Sequence, residues 1–184
     1  MERLVQSLRD APVVDRDGYS YFVHPVTDCI PLVEADLLRE VAKGIERVAD
    51  LDAADKILTA EAMGVHHATA VTLETGIPFV AARKRSYGFE DEIAVHQVTG
   101  YDEEELYLNG ISPGDRVVLL DDVYATGGTI HALHDAAVEA GAEVVDAVVV
   151  IEKRIEGAEE PPIEVKSLVT VEVADGSVNV LETA

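Results

Sequence analysis

The chain has 184 residues with 36 acidic and 14 basic side chains, so its formal net charge at pH 7 is −22. Such a surface repels nucleic acid and anionic lipid, and the single cysteine, Cys29, excludes an internal disulfide and any zinc site built from several cysteines. The length suits one domain over residues 1–184, and no apolar run approaches the ~20 residues of a membrane span. Because the acids occur along the whole chain, we expect a protein adapted to a salt-rich cytoplasm rather than a merely acidic mesophilic protein.

In chain order, apolar periodicity predicts helices that alternate with short strands. This rhythm indicates an α/β fold, in which a central, mainly parallel sheet is flanked by helices and ligands bind at the carboxyl ends of the strands. The predicted elements are a helix at 34–50, a strand at 55–59, a turn at 60–64, a helix at 65–76, strands at 77–82 and 117–120, a helix from 129 and a strand at 144–151.

Two segments depart from this rhythm. Residues 86–110 are polar and weakly alternating, which predicts a two-stranded flap. Residues 164–182 predict a hairpin that turns at Asp175-Gly176, a typical tight-turn pair.

The most informative stretch is VVLLDDVYATGGT, at residues 117–129. A strand that delivers two acids, then a small-residue loop and a helix, builds a pocket for a phosphorylated sugar. Backbone N–H groups of the loop, with its threonine hydroxyls, can surround a phosphate, while the two acids accept hydrogen bonds from ribose hydroxyls. The alternative is an acidic turn in an ordinary doubly wound domain. The residues concerned are Asp121, Asp122, Val123, Tyr124, Ala125, Thr126, Gly127, Gly128 and Thr129.

DDVYATGGT resembles the phosphoribosyl-pyrophosphate loop of type I phosphoribosyltransferases, and the whole chain resembles their archaeal hypoxanthine/guanine branch, which is related to the xanthine enzymes. The resemblance implies a homodimer and a domain with a hood, formed by about residues 1–32 and 155–184, and a flap at about 86–110. It also implies Mg²⁺ bound directly or through water by Asp121 and Asp122, and catalytic roles for Asp121, Asp122, Lys84 and Tyr101.

Two further segments match the pyrophosphate-binding parts of this family. AEAMG, at residues 60–64, resembles the loop whose backbone grips the leaving group, often with a non-proline cis peptide. A cluster of three cations follows the strand at 77–82. Taken alone, the first is also compatible with a simple turn and the second with a surface patch paired with carboxylates. The residues are Glu61, Ala62, Met63, Gly64, Arg83, Lys84 and Arg85.

The base pocket is indicated by VVVIEKRIEG, at residues 148–157, which resembles 6-oxopurine enzymes. In those enzymes the lysine at this strand end donates a hydrogen bond to the exocyclic O6 of the base. Lys153 matches it, and because an ammonium only donates, it favours a 6-keto over a 6-amino group. The alternative is a solvated lysine. YFVHPVTDCIPL, at residues 21–32, resembles the hood over the base, with its wall near Val26 and Thr27.

The implied reaction is transfer of a phosphoribosyl group from phosphoribosyl pyrophosphate to a purine. No proton acceptor is assigned, because Ala125 stands where some hypoxanthine-guanine enzymes carry an aspartate, and Gly100 precedes Tyr101 where adenine enzymes have Glu-Tyr. Two alternatives remain: an adenine enzyme, and a regulator of the same fold that binds the sugar pyrophosphate without turnover.

Overall fold

A computed structural model describes residues 1–16, 19–98, 103–155, 157–158 and 160–184. Within these residues the helices and strands from residue 34 onward follow the predicted alternation, and the elements before residue 34 were not predicted individually. The helices are α1 (Glu2–Arg9), α2 (Pro25–Asp28), α3 (Ala35–Val48), α4 (Gly64–Thr75) and α5 (Gly128–Glu139), with a 3₁₀ turn at Leu51–Ala53. The strands are β1 (Val13–Arg16), β2 (Tyr19–Phe22), β3 (Lys56–Ala60), β4 (Phe79–Ala82), β5 (Ile93–Val98), β6 (Glu103–Leu108), β7 (Arg116–Tyr124), β8 (Glu143–Lys153), β9 (Val165–Ala174) and β10 (Ser177–Thr183).

The central sheet has the strand order β10-β9-β8-β7-β3-β4. Every neighbouring pair is parallel except β9 and β10, which confirms the mainly parallel sheet. One apolar core joins α1, α3 and α4 to one face of the sheet, and a second joins α5 and β6 to the other face. Burial on both faces explains why the strands read as continuous apolar runs rather than as alternating patterns.

Strand β7 is longer than the predicted strand at 117–120. Its pairing with β8 continues to Tyr124, opposite Glu152, so that Asp121 and Asp122 lie inside the strand rather than after it. The sequence suggested an earlier end because acids disfavour strand interiors. Here the hydrogen-bonded pairing with β8 outweighs this low strand propensity. The pairing holds both carboxylates in fixed positions at the edge of the cavity described below.

The hairpin predicted at 164–182 is formed by β9 and β10. Its turn residues, Asp175 and Gly176, have φ of 51° and 72°, as a two-residue turn with positive φ at both positions requires. The family resemblance places residues 155–184 in the hood. In the structure β9 pairs with β8, so this hairpin extends the central sheet, and strand β2 of the hood lies against β9.

The flap region contains the antiparallel pair β5 and β6, as predicted. Leu106 and Leu108 of β6 are buried in the core beside α5, so the second strand of the flap is anchored to the body of the protein. An isolated bridge between Arg83 and Tyr107 joins β6 to the chain that leaves β4.

Candidate active site

A cavity of about 420 Å³ opens at the carboxyl ends of β3, β7 and β8. It is bounded by the loop after β7, the loop after β3, the end of β8 and the hood. The lining residues are Tyr19, Tyr21, Phe22, Thr27, Asp28, Ala60, Glu61, Ala62, Met63, Lys84, Asp121, Asp122, Val123, Tyr124, Ala125, Thr126, Gly127, Gly128, Thr129, Ile130 and Lys153. The cavity therefore brings together all nine residues of the predicted phosphate loop and several of the other predicted site residues.

One end of the cavity is formed by the loop between β7 and α5, and it is called the phosphate end here because the sequence predicts phosphate binding by this loop. Gly127 adopts φ 97°, and a Cβ atom there would lie 2.8 Å from the hydroxyl oxygen of Tyr124, so this position requires glycine. Helix α5 begins at Gly128 without a side-chain cap. Because the first N–H groups of a helix lack intrahelical acceptors and carry partial positive charge, they form an anion site at this end.

Asp121 and Asp122 are buried beside this loop, with 4% and 8% of their surface exposed. Burial raises the pKa of Asp121 to about 6, against the opposing effect of hydrogen bonds from the Asp122 backbone and Thr129. Burial and the neighbouring Asp121 carboxylate raise the pKa of Asp122 well above its usual range. The paired acids therefore favour a ligand that supplies hydroxyl donors or a cation, since either stabilises the ionised forms.

The loop between β3 and α4 forms the adjoining wall. The peptide bond between Glu61 and Ala62 is cis, as the family resemblance implies. Gly64 opens α4, and a Cβ atom there would lie 1.9 Å from Thr59 Oγ1 and 3.1 Å from Asp121 Oδ1. The absent side chain thus lets α4 approach β7, although Gly64 itself does not line the cavity.

The three cations after β4 point to different places. Lys84 lines the cavity, whereas Arg83 and Arg85 do not. The Nε of Arg83 lies 2.7 Å from Glu61 Oε2, and the Arg85 guanidinium lies 5.0 Å from the centre of the Tyr87 ring. Direct binding of pyrophosphate by Arg83 and Arg85 stays a prediction, and in the structure Lys84 is the cation of this cluster that faces the cavity.

Lys153 lies at the opposite end of the cavity, which is called the base end here because the sequence predicts the purine there. Its side chain comes from the end of β8, and the residue is only 5% exposed. The ammonium donates a hydrogen bond of 2.6 Å to the Ser20 carbonyl oxygen and lies 3.8 Å from the centre of the Tyr19 ring. Burial lowers the pKa of Lys153 to about 8. An ammonium has three donors, so it can still donate to a base while it holds Ser20.

The hood places Thr27 on the cavity wall but turns Val26 away from it. Val26 is 1% exposed and is not a lining residue. Its N–H donates to His24 Nδ1 at 3.1 Å, and its carbonyl accepts a 3.0 Å hydrogen bond from His67 Nε2. Burial lowers the pKa of His24 to about 4 and that of His67 to about 3, so both imidazoles are neutral at pH 7.

Several lining residues of the hood were not named from the sequence, although three of them lie in its predicted segment at residues 21–32. Tyr19, Tyr21 and Phe22 come from the short strand β2, and Asp28 ends α2. Asp28 Oδ1 accepts a 2.6 Å hydrogen bond from the Tyr21 hydroxyl. An available signal was the concentration of aromatic residues in YSYF, in a chain with only 5% aromatics. The predicted catalytic Tyr101 lies outside the described residues.

The parallel sheet, the anion-binding start of α5 and the two buried carboxylates define a class of protein that binds a phosphorylated sugar at the carboxyl ends of its strands. The family model described as "Phosphoribosyl transferase domain" matches residues 34–182. The chain belongs to this family of glycosyltransferases, which confirms the resemblance seen in the sequence.

Named relatives are similar to this protein over almost its whole length. A "hypoxanthine/guanine phosphoribosyltransferase" of Methanothermobacter thermautotrophicus is 53% identical over 98% of this chain and 94% of its own length. A "HGPRTase-like protein" of Halobacterium salinarum is 50% identical over 99% of this chain and 97% of its own length. The crystal structure of an adenine phosphoribosyltransferase from Thermoanaerobacter pseudethanolicus has a TM-score of 0.75 and 22% identity, covering 92% of this chain and 98% of that one. At that identity the likeness shows the fold alone.

Among the described residues there is no cluster of three or more His, Cys, Asp or Glu side chains that could hold a metal ion by itself. No helix in the described part of the chain is long and apolar enough to cross a membrane.

Proposed function

We propose that this protein transfers the 5-phosphoribosyl group of phosphoribosyl pyrophosphate to a 6-oxopurine (hypoxanthine, guanine or xanthine) as a step of purine salvage. One observation carries the proposal: a buried, donor-only side chain, Lys153, lines the same cavity as the complete phosphate loop at residues 121–129. The relatives named as hypoxanthine/guanine phosphoribosyltransferases, at about half of all positions identical, support the same choice of base.

The hood supports recognition of the base by Lys153 rather than by backbone N–H groups. The N–H of Val26 is bonded to His24 Nδ1, and those of Thr27 and Asp28 are bonded to the His24 carbonyl. The N–H of Cys29 is bonded to the Pro25 carbonyl. Since these four donors are used within the hood, an acceptor on the base, such as the O6 of an oxopurine, has Lys153 as its charged donor.

In the proposed reaction the bond between ribose C1 and the pyrophosphate oxygen breaks, and a bond from C1 to a purine nitrogen forms. Pyrophosphate leaves with the bonding electron pair, and the proton of the attacking ring nitrogen is released to water. The phosphate loop holds the 5′-phosphate at the start of α5, and Asp121 and Asp122 orient the ribose through its hydroxyls. Lys84 stabilises the negative charge that develops on the leaving group.

Mg²⁺ fits the acidic part of this site. A magnesium ion is usually held by one or two carboxylates together with substrate phosphates and water, and Asp121 and Asp122 provide such a pair. Burial raises the pKa of both carboxyls, and a cation bound between them would offset the cost of ionising the pair. Bound there, Mg²⁺ would neutralise charge on the pyrophosphate oxygens. The homodimer and the cytoplasmic location that the sequence analysis expects remain predictions.

The decisive experiment is nucleotide formation from phosphoribosyl pyrophosphate and Mg²⁺ with hypoxanthine, guanine, xanthine and adenine in turn, at high KCl. We expect turnover with at least one 6-oxopurine and much less with adenine. Preferential turnover of adenine would contradict the assignment of Lys153. Tight binding of phosphoribosyl pyrophosphate without turnover of any base would favour the regulator instead. High salt is required because a net charge of −22 is expected to destabilise the fold at low ionic strength.

A further inference from the structure

Glu61 stands where the loop after β3 meets the chain that leaves β4. Its N–H donates to the Ala82 carbonyl at 2.9 Å, so the backbone of the loop is joined to the end of β4. Its carboxylate also contacts the segment that follows β4. Oε1 accepts a 2.6 Å hydrogen bond from the Lys84 N–H, and Oε2 lies 2.7 Å from Arg83 Nε. Three contacts from one residue therefore hold the segment that carries Lys84 against the pyrophosphate loop.

A carboxylate is poorly suited to bind pyrophosphate itself. It only accepts hydrogen bonds, as do the oxygens of pyrophosphate, and the two charges repel each other. Both oxygens of Glu61 are also engaged with donors from the segment after β4. Although Glu61 lines the cavity, its contacts are those of a support for that segment.

The segment after β4 has a second support on its other side. The backbone N–H and carbonyl of Arg83 pair with those of Tyr107 in β6, at 2.9 and 2.7 Å. Arg83 is thus held from the flap strand, and Lys84, the next residue, is held by Glu61. Lys84 is the cation of this cluster that lines the cavity, so the Glu61 contact fixes the point from which its ammonium approaches the leaving group.

We infer that Glu61 is a positioning residue that acts through Lys84: its hydrogen bond to the Lys84 N–H holds that side chain where the pyrophosphate group binds. This inference rests on the proposed function, and it replaces direct pyrophosphate binding by Glu61 with an indirect role. In this role Glu61 supports the binding of an anionic ligand that its own carboxylate would repel. The same bond makes the two residues interdependent, so their effects on pyrophosphate binding should not be independent of each other.

The test is a double-mutant cycle in high KCl that measures KM for phosphoribosyl pyrophosphate, KM for the base and the Kd of pyrophosphate. Glu61→Ala should raise the KM for phosphoribosyl pyrophosphate and the Kd of pyrophosphate by about tenfold, with the KM for the base changed less than about twofold. Glu61→Gln should stay within about threefold of the wild type, because its amide oxygen still accepts from the Lys84 N–H. In a Lys84→Ala background, Glu61→Ala should add less than about twofold.

Effects of Glu61→Ala and Lys84→Ala that multiply would overturn the inference, as would an unchanged KM in Glu61→Ala. Glu74→Ala is the matched control, since it removes one acid from an exposed position of α4. An equal change in that variant would attribute the effect to net charge and would also reject the role of Glu61. Failure of the proposed function is distinguishable, because the wild-type protein would then show no preferred turnover of hypoxanthine, guanine or xanthine, whereas failure of the Glu61 inference would leave that wild-type turnover intact.

Discussion

At the phosphate end of the cavity, seven consecutive residues, 123–129, supply the wall that would hold the sugar phosphate. At the base end, Lys153 meets the carbonyl of Ser20, a partner 133 positions away in the chain. The first site forms wherever one strand, one loop and one helix fold together. The second exists only when β8 and the hood are correctly packed. Damage to the fold should therefore disturb base selection earlier than phosphate binding.

The largest effect is expected at the phosphate end, for Asp122→Asn. An amide cannot replace the charge-assisted hydrogen bonds to ribose hydroxyls or neutralise Mg²⁺, so kcat/KM for phosphoribosyl pyrophosphate should fall by about 10²-fold or more. Steady-state kinetics at saturating base measures this loss. Asp135→Asn is the control, because this acid is 75% exposed on α5 and lies outside the cavity. A rate equal to that of the wild type would refute the role of Asp122.

At the base end, Lys153→Ala should lower kcat/KM for the preferred 6-oxopurine by about 10- to 100-fold, as expected for loss of a hydrogen bond from a charged group. The KM for phosphoribosyl pyrophosphate should change by less than about twofold, because the phosphate loop is built independently. Competition between hypoxanthine and adenine measures the loss of selectivity. Lys43→Ala, at an exposed position of α3, controls for the change in net charge. Selectivity retained in Lys153→Ala would exclude the contact with O6.

The same contrast explains how far the site could be predicted from the sequence. The phosphate loop is contiguous, and its glycines and acids have requirements that are visible locally. The central strands were predictable because they are buried on both faces. The end of β7 was not, because pairing with β8 carries Asp121 and Asp122 into the strand. Only the packed structure shows that Gly64 abuts Thr59.

The hood illustrates the limit more clearly. From sequence, Val26 and Thr27 are equally good candidates for the wall of the base pocket. The structure separates them, because buried histidines bind both backbone polar groups of Val26 and turn that residue inward. Such a distinction depends on α4 supplying His67 from a position 41 residues along the chain. Nothing in the local pattern of the hood indicates that contact.

The hood should also be the acid-sensitive end of the molecule. Burial lowers the pKa of His24 to about 4, below the 6.5 of an ordinary histidine, so the unfolded state binds its proton first. The stability contributed by neutral His24 is complete above pH 6.5 and is lost as the pH falls from there to about 4, by about 1–2 kcal/mol between pH 7 and pH 5.

Urea unfolding of the wild type and of His24→Gln across this pH range measures the His24 contribution. We expect a shallower fall in the free energy of unfolding for His24→Gln, because glutamine does not titrate. His134→Gln, on the partly exposed surface of α5, is the control for loss of an imidazole outside the hood. Equal slopes for the wild type and His24→Gln would show that His24 does not contribute to the pH dependence of the free energy of unfolding.

The smallest expected effect is a dependence of base binding on pH, caused by the titration of Lys153 at the base end of the cavity. Burial lowers the pKa of Lys153 to about 8, so the donor required at the base end is lost as the pH rises above that value. The KM for the base should rise about tenfold by one pH unit above 8, relative to neutral pH, because only the protonated fraction binds O6 productively. Lys153→Arg stays charged and should not show this rise, while the ionisation of the base itself affects both proteins equally. Kinetics between pH 7 and 9 with the two proteins therefore isolates the titration of Lys153. A parallel rise in the KM for the base in Lys153→Arg would assign it to the base and would contradict a role for the buried ammonium.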